Sequence, residues 1–260
     1  MSEVYDFTSG TSPVLVSMPH SGLSIPDDIL SRLTDRAQAL PDTDWHIPRL
    51  YNFVYTQGHS VLQANFGRYV VDLNRPPNNE SLYPGQASTS LCPETLFDGE
   101  PLYRSCEVLT EAEVAERREK YWVPYHDKLA QALEQIKRRH GYAILYDAHS
   151  IASKVPRLFD GQLPDLNLGT ASGESCSGDI QAAVGKVITD SHFSAVVNGR
   201  FRGGYITRNY GDPGNGIHAL QMEITQCTYM SETPDFTFDE GRTTKIQSTL
   251  MAVFEVMNEY

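Results

Sequence analysis

The chain has 260 residues, 40% of them hydrophobic, and 21 Lys and Arg against 33 Asp and Glu give a formal charge of −12. That length buries a full core, and the acidic balance excludes attraction of a phosphate backbone by general charge, which rests on a Lys/Arg-rich field. An anionic ligand must therefore be held by a few local cations. No apolar run reaches the roughly 18 to 20 residues of a membrane span, and the N-terminus lacks the basic start and apolar stretch of a signal peptide. Cys92, Cys106, Cys176 and Cys227 form no CxxC pair, so they read as reduced structural thiols rather than a disulfide framework or a zinc site. The expectation is a cytoplasmic protein without nucleic-acid or membrane partners.

In chain order, short runs rich in Val, Ile, Leu and Tyr predict buried strands at residues 14–18, 60–64, 69–73, 142–147, 194–197 and 219–224. Helices are expected at about 27–34, 45–57, 179–190 and 242–257, where apolar residues recur at three- and four-residue steps. A longer helix opens with a capping-box signature, Thr110 followed by Glu113, and runs to about Arg139 with Gly141 just beyond its end. Pro124 should kink or divide it. Strand-like and helix-like runs alternate along nearly the whole chain, which predicts a single α/β domain over residues 1–260, with the sheet covered on both faces. Long irregular stretches at about 75–108 and 150–178 are of the kind that carries function, and the first is long enough to close over a ligand.

Three strands lead into side chains competent for catalysis. Val14 to Met18 runs into Pro19-His20-Ser21-Gly22, Ala143 to Asp147 into Ala148-His149-Ser150, and Ala219 to Met222 into Glu223. Residues this far apart in sequence converge at the carboxyl ends of the strands of an open α/β sheet. Asp44, in Asp42-Thr43-Asp44-Trp45, is a fourth candidate. Two histidines and a carboxylate are a usual protein ligand set for a catalytic zinc, which brings the pKa of a water towards neutrality, while a separate carboxylate, here Glu223, accepts the proton. Taken singly, Asp44 also reads as a helix N-cap and Glu223 as a buried partner of an arginine. His218, just ahead of the last strand, is a reserve ligand. Arg75, in Asp72-Leu73-Asn74-Arg75, and Arg200, Arg202 and Arg208, set among glycines in the 198–211 stretch, suit bidentate capture of a small dianion; alternatively Gly203-Gly204 makes a hairpin turn whose arginines only offset acidic surface. Tyr83, Tyr103, Tyr121, Tyr205 and Tyr210 read as packing or pocket-wall residues.

At Pro19-His20-Ser21-Gly22, Asp42-Thr43-Asp44-Trp45, Arg68-Tyr69-Val70-Val71-Asp72-Leu73-Asn74-Arg75, Asp147-Ala148-His149-Ser150, Asn198-Gly199-Arg200-Phe201-Arg202-Gly203-Gly204-Tyr205 and Gln221-Met222-Glu223-Ile224, the chain resembles the N-formylglutamate amidohydrolases from about residue 12 to its end. The resemblance implies hydrolysis of N-formyl-L-glutamate to L-glutamate and formate, in histidine degradation. It also implies a single-domain mixed sheet flanked by helices, similar to zinc carboxypeptidases and aspartoacylase-type amidohydrolases. Those relatives carry His-x-x-Glu at the first ligand motif, whereas Leu23 stands here, so the acidic ligand is assigned to Asp44, with Asp42 as the other carboxylate of that segment. The implied mechanism has Zn2+, or another divalent metal such as Co2+, held by His20, Asp44 and His149, and Glu223 shuttling the proton. Asn74, Arg75, Arg202, Arg208 and Tyr205 are then the substrate-binding residues. The alternatives are a related zinc amidohydrolase or carboxypeptidase acting on another N-acyl amino acid or peptide, or a non-catalytic carboxylate-binding protein.

Overall fold

A computed structural model of the chain describes residues 3–80, 89–105 and 109–260; Tyr83, Cys106 and parts of the 75–108 stretch lie outside them. Among the described residues seven strands form one sheet: β1 (Tyr5–Thr8), β2 (Val14–Met18), β3 (Ser60–Ala64), β4 (Ala143–Ile151), β5 (Leu166–Gly169), β6 (Ala195–Val197) and β7 (Ile217–Thr225). Their order is β1-β3-β2-β4-β7-β5-β6. The centre, β3-β2-β4-β7, is parallel, and β1 and β5 run antiparallel to their neighbours β3 and β7, so the sheet is mixed. The helices are α1 (Asp27–Leu30), α2 (Asp35–Gln38), α3 (Ile47–Leu50), α4 (Phe53–Thr56), α5 (Glu111–Arg117), α6 (Val123–His140), α7 (Gly178–Thr189), α8 (Tyr205–Tyr210) and α9 (Glu240–Asn258). None of them is long and apolar enough to cross a membrane.

Alternation of side chains along the central strands divides the core in two. Val14, Val16, Ile144, Tyr146, Leu220 and Met222 face α3, α4, α7 and α9, which contribute Leu50, Val54, Ile180, Val184, Leu250 and Phe254. Leu15, Ala143, Leu145 and Ala219 face the other way, onto Leu129, Leu133 and Ile136 of α6. The face under α6 is the one that turns polar further along the strands. Continuing in steps of two from Ala143 and Leu145 brings Asp147 and His149, and from Ala219 brings Gln221 and Glu223.

The caps follow the sequence. Thr110 accepts a hydrogen bond from the Glu113 amide, and Gly141, at φ 86°, ends α6 in the left-handed region. The division expected at Pro124 falls just before it, in a π turn, Arg118–Trp122. Other expectations need correction. Residues 69–73 form no strand: their apolar side chains are buried, but the segment is a turn. The helix expected at 45–57 is two short helices broken at Tyr51-Asn52, and that at 27–34 stops at Leu30. Gly203-Gly204 makes no hairpin, because Gly204 precedes α8. A β-carbon there would stand 2.4 Å from the Asn74 side-chain Nδ2, so glycine is required by close approach.

Phe254 of α9 is fully buried against the rings of Tyr146 (4.7 Å between centroids), His59 (5.0 Å) and Phe53 (5.5 Å). Phe254→Ala should cost about 3 to 5 kcal/mol through lost burial and the cavity left behind. Urea unfolding checks this: the midpoint should fall without a change in slope.

Candidate active site

The Asp44 carboxylate lies between two imidazoles at the carboxyl end of the parallel strands. His20 follows β2, His149 is in β4, and Asp44 is tied to the first by its backbone amide, which donates to His20 O (3.1 Å). Asp44 Oδ2 is 3.1 Å from His149 Nδ1 and 3.8 Å from His20 Nδ1. Ligand atoms of all three residues fall within 4.8 Å of one another, and all three are buried. Glu223 sits beside them, because β7 pairs in register with β4 and places Glu223 opposite His149. His149 therefore lies inside a strand that continues two residues further, rather than just beyond its end as the sequence suggested, while Glu223 lies within β7, inside the strand expected at 219–224. The antiparallel strand β5 pairs with the last part of β7 on its other side, with Asn167 opposite Glu223.

Each imidazole turns its other nitrogen to a buried aspartate. His20 Nε2 lies 2.7 Å from Asp72 Oδ1, and His149 Nε2 lies 2.8 Å from Asp147 Oδ2. Such backing fixes the tautomer so that Nδ1 offers a lone pair, as in carboxylate–histidine–metal arrangements. Asp72 is itself held by Arg68 Nη2 (2.7 Å) and the Asn74 amide (2.9 Å), and Asp147 by Ser17 Oγ (2.8 Å) and Asn74 Nδ2 (3.3 Å). Burial alone would raise Asp72, but His20, Arg75 and Arg68 hold it well below the usual carboxylate range. Burial and the Arg68 charge lower His20. In His149, burial is outweighed by Asp147 and Asp44, which hold its proton well above the ordinary imidazole value. Burial pushes Glu223 up to about 8.

This donor set fits a divalent cation. Asp44 Oδ1 is buried with no hydrogen-bond partner, a costly state for a carboxylate oxygen. Two imidazole nitrogens and a carboxylate match the usual catalytic zinc set, although such ligands accept several metals. Asp42, the neighbouring carboxylate, is turned elsewhere: its Oδ2 accepts from Tyr69 Oη (2.9 Å) and the Phe97 amide (3.0 Å). His218 is also elsewhere, its Nδ1 accepting from the Ser177 amide (3.2 Å).

The cleft above these groups is lined by Arg68, Asn74, Arg75, Phe97, Arg200 and Phe201 among others. Arg75 is there, its side chain 19% exposed and its guanidinium steadied by Thr89 O (3.0 Å) and Oγ1 (2.8 Å). Asn74 is present but committed: Oδ1 accepts from the Ile206 amide (2.8 Å). Arg202, Arg208 and Tyr205 are not brought into the lining. Arg202 Nε donates to Gly199 O (3.4 Å), Arg208 Nε to Gly203 O (2.9 Å), and Tyr205 packs on Trp122 and His126. Arg200, given no role from the sequence beyond membership of the arginine group, is the arginine of that stretch in the cleft, with Nε on Leu158 O (2.7 Å). Asp72, Asp147 and Arg68 were also unassigned. A signal existed for Asp147, since a carboxylate two residues before His149 in an apolar strand shares its face and needs a buried partner.

The profile of the N-formylglutamate amidohydrolase family matches residues 12–230. The chain belongs to this family. It is 45% identical over 258 residues to an N-formylglutamate deformylase of Pseudomonas putida, covering 99% of this chain and 96% of that one. With an N-formylglutamate deformylase of Pseudomonas aeruginosa it shares 49% identity over 243 residues, 92% and 90% of the two chains. Among solved structures, the N-formylglutamate amidohydrolase of Ralstonia eutropha JMP134 superposes with a TM-score of 0.80 at 25% identity, over 97% of both chains.

Because Asp72 orients His20, Asp72→Asn should weaken the binding of a divalent cation at His20, Asp44 and His149 by about 10- to 100-fold while leaving the fold intact. Competition titration with a chromogenic chelator, beside a thermal melt, checks both parts.

Proposed function

We propose that this chain hydrolyses the formamide C–N bond of N-formyl-L-glutamate to give L-glutamate and formate, with a divalent metal as cofactor. The observation that carries the reading is one cleft that holds the His20, Asp44 and His149 donors, the Glu223 carboxyl beside them, and the guanidinium groups of Arg75 and Arg200. The names of the curated relatives support the substrate. A metal held by His20, Asp44 and His149 would supply Lewis acidity towards the formyl oxygen and make a water acidic near neutral pH.

The protein's own groups do the rest. Glu223, with a carboxyl pushed up to about 8, can hold or release a proton near neutrality, which is what a general base that later acts as an acid requires. It takes the proton of the attacking water as the new C–O bond forms, and delivers it to the glutamate nitrogen as the C–N bond breaks. Arg75 and Arg200 face the two carboxylates of the dianionic substrate, each able to form paired N–H···O bonds. Arg200 takes the part expected of Arg202 or Arg208. Asn74 acts by holding its neighbours: its side chain links Asp147 and the first turn of α8. Arg68 Nη1 lies 4.0 Å from Asp44 Oδ1 and its Nη2 pairs with Asp72, which sets one positive charge beside both carboxylates.

Purified protein should release formate from N-formyl-L-glutamate and not acetate from N-acetyl-L-glutamate, lose activity on chelation, and recover it with Zn2+ or Co2+. Failure to release formate with metal bound would sink the substrate assignment. Glu223→Gln should lower kcat by at least about 100-fold with metal content unchanged, since removing a positioned acid/base typically costs that much. Arg200→Ala should raise KM by about 10- to 100-fold, the worth of one charged hydrogen-bonded contact.

A further inference from the structure

The π turn at Arg118–Trp122 has no part in the chemistry of the cleft, yet turns of this kind recur at functional sites. Its local cause is Pro124, the second residue of α6. Proline has no N–H to bond the carbonyl four residues back, and its ring crowds that carbonyl. The wider turn relieves the conflict by adding one residue, which rotates the start of α6 by about 100° relative to a continuous α-helix. Tyr121 and Trp122 are consequently both buried, Tyr121 against Phe66 (4.7 Å between centroids) and Trp122 stacked on His126 (3.7 Å) one turn later.

The two stacked rings reach the segment that carries Arg75. Trp122 Nε1 donates to Arg75 O (3.0 Å), and His126 Nε2 donates to Leu73 O (2.8 Å). Asn74 O, between them, accepts from Arg75 Nη1 (2.9 Å). The Asn74 amide is fixed on Asp72, so this three-residue segment is gripped at successive backbone groups. Burial lowers His126 to about 4, so at neutral pH it is the uncharged imidazole with its proton on Nε2, and Nδ1 accepts from Tyr210 Oη (2.9 Å). The segment itself has no strand ladder to hold it, since 69–75 lies outside the sheet.

We propose that the π turn is a positioning device for substrate recognition: it presents Trp122 and His126 as a clamp on the Leu73 and Arg75 carbonyls, which fixes the Arg75 guanidinium at the cleft for a substrate carboxylate. The clamp rests on the reading of Arg75 as a substrate-binding residue. Trp122 and His126 touch no reacting atom, so they act on binding and not on the chemical step.

The test is a double-mutant cycle on formate release from N-formyl-L-glutamate. Trp122→Phe keeps the stacked ring and removes the N–H. It should raise KM by about fivefold to tenfold, the worth of one hydrogen bond, with kcat held within about twofold, as expected for loss of uniform binding. In an Arg75→Ala background the same change should move KM by less than about twofold, because the residue it acts through is gone. An equal rise in both backgrounds, no rise in the parent, or a fall in kcat alone would overturn the clamp. Arg75→Ala with unchanged KM would overturn the Arg75 reading as well, whereas a large Arg75→Ala effect beside an inert Trp122→Phe would sink the clamp alone. His126 supplies an independent pair should Trp122→Phe fold poorly: His126→Gln, which keeps an N–H within reach of Leu73 O, should recover much of the KM lost in His126→Leu, and equal KM values for the two would count against the clamp.

Discussion

Four carboxyl groups, Asp44, Asp72, Asp147 and Glu223, are buried together at the carboxyl end of the sheet, and the rest of the site is arranged around the cost of keeping them there. Removing a carboxylate from water costs several kcal/mol unless it is paired and hydrogen-bonded. Asp72 and Asp147 are fully provided for: one has Arg68, His20 and a backbone amide, the other Ser17, Asn74 and His149. Asp44 and Glu223 are not. Asp44 keeps one buried oxygen without a hydrogen-bond partner, and Glu223 answers burial by holding its proton up to about 8. These two carboxyls face the cleft, and the proposed mechanism gives them its chemical parts, one as a cation ligand and one as a proton carrier. The satisfied pair orients the histidines.

The sheet makes this division possible because side chains two residues apart in a strand share a face. In β4 and β7 the same face begins as hydrocarbon under α6 and ends as Asp147, His149, Gln221 and Glu223. Buried hydrocarbon at one end anchors the strands, and the in-register ladder carries that rigidity to the polar end. Donor atoms held in this way keep their separation without help from a ligand, which is the preorganisation that electrostatic catalysis relies on.

Legibility from sequence followed the same boundary. His20, His149 and Glu223 could be placed because each stands at or near the end of an apolar run, where the strand pattern says which way the chain points. Residues 69–73 misled for the opposite reason. Tyr69, Val70, Val71 and Leu73 are as buried as a strand, but Arg68, Asp72 and Asn74 take up the local polar groups through side-chain contacts, and a short apolar run cannot by itself tell a strand from a buried turn. β5 was invisible because its four residues, Leu166–Gly169, sit within a polar stretch. The arginines of 198–211 could be recognised as a group but not sorted, since an irregular backbone has no period from which to read direction. The clamp on Arg75 lay further out of reach: it needs one added residue in a helical turn, which no pattern of apolar residues specifies.

The site thus joins two kinds of support. The groups to which the proposed mechanism gives the bond being broken are carried on or against strands, while Arg75, Phe97, Arg200 and Phe201, which line the cleft, come from irregular segments. Loops accept changed lengths and side chains at little cost to the core, so the selectivity of this scaffold for one acyl amino acid over another can be altered in those segments without moving a donor atom. Arg75 is the exception within that set. Its segment is irregular, yet Trp122 and His126 couple it to α6, which packs on the central strands through Leu129, Leu133 and Ile136. A guanidinium held that way has less freedom to lose on binding, and affinity gained by preorganisation needs no additional contact. Arg75 therefore belongs with the rigid part of the site, and Arg200 with the adaptable one.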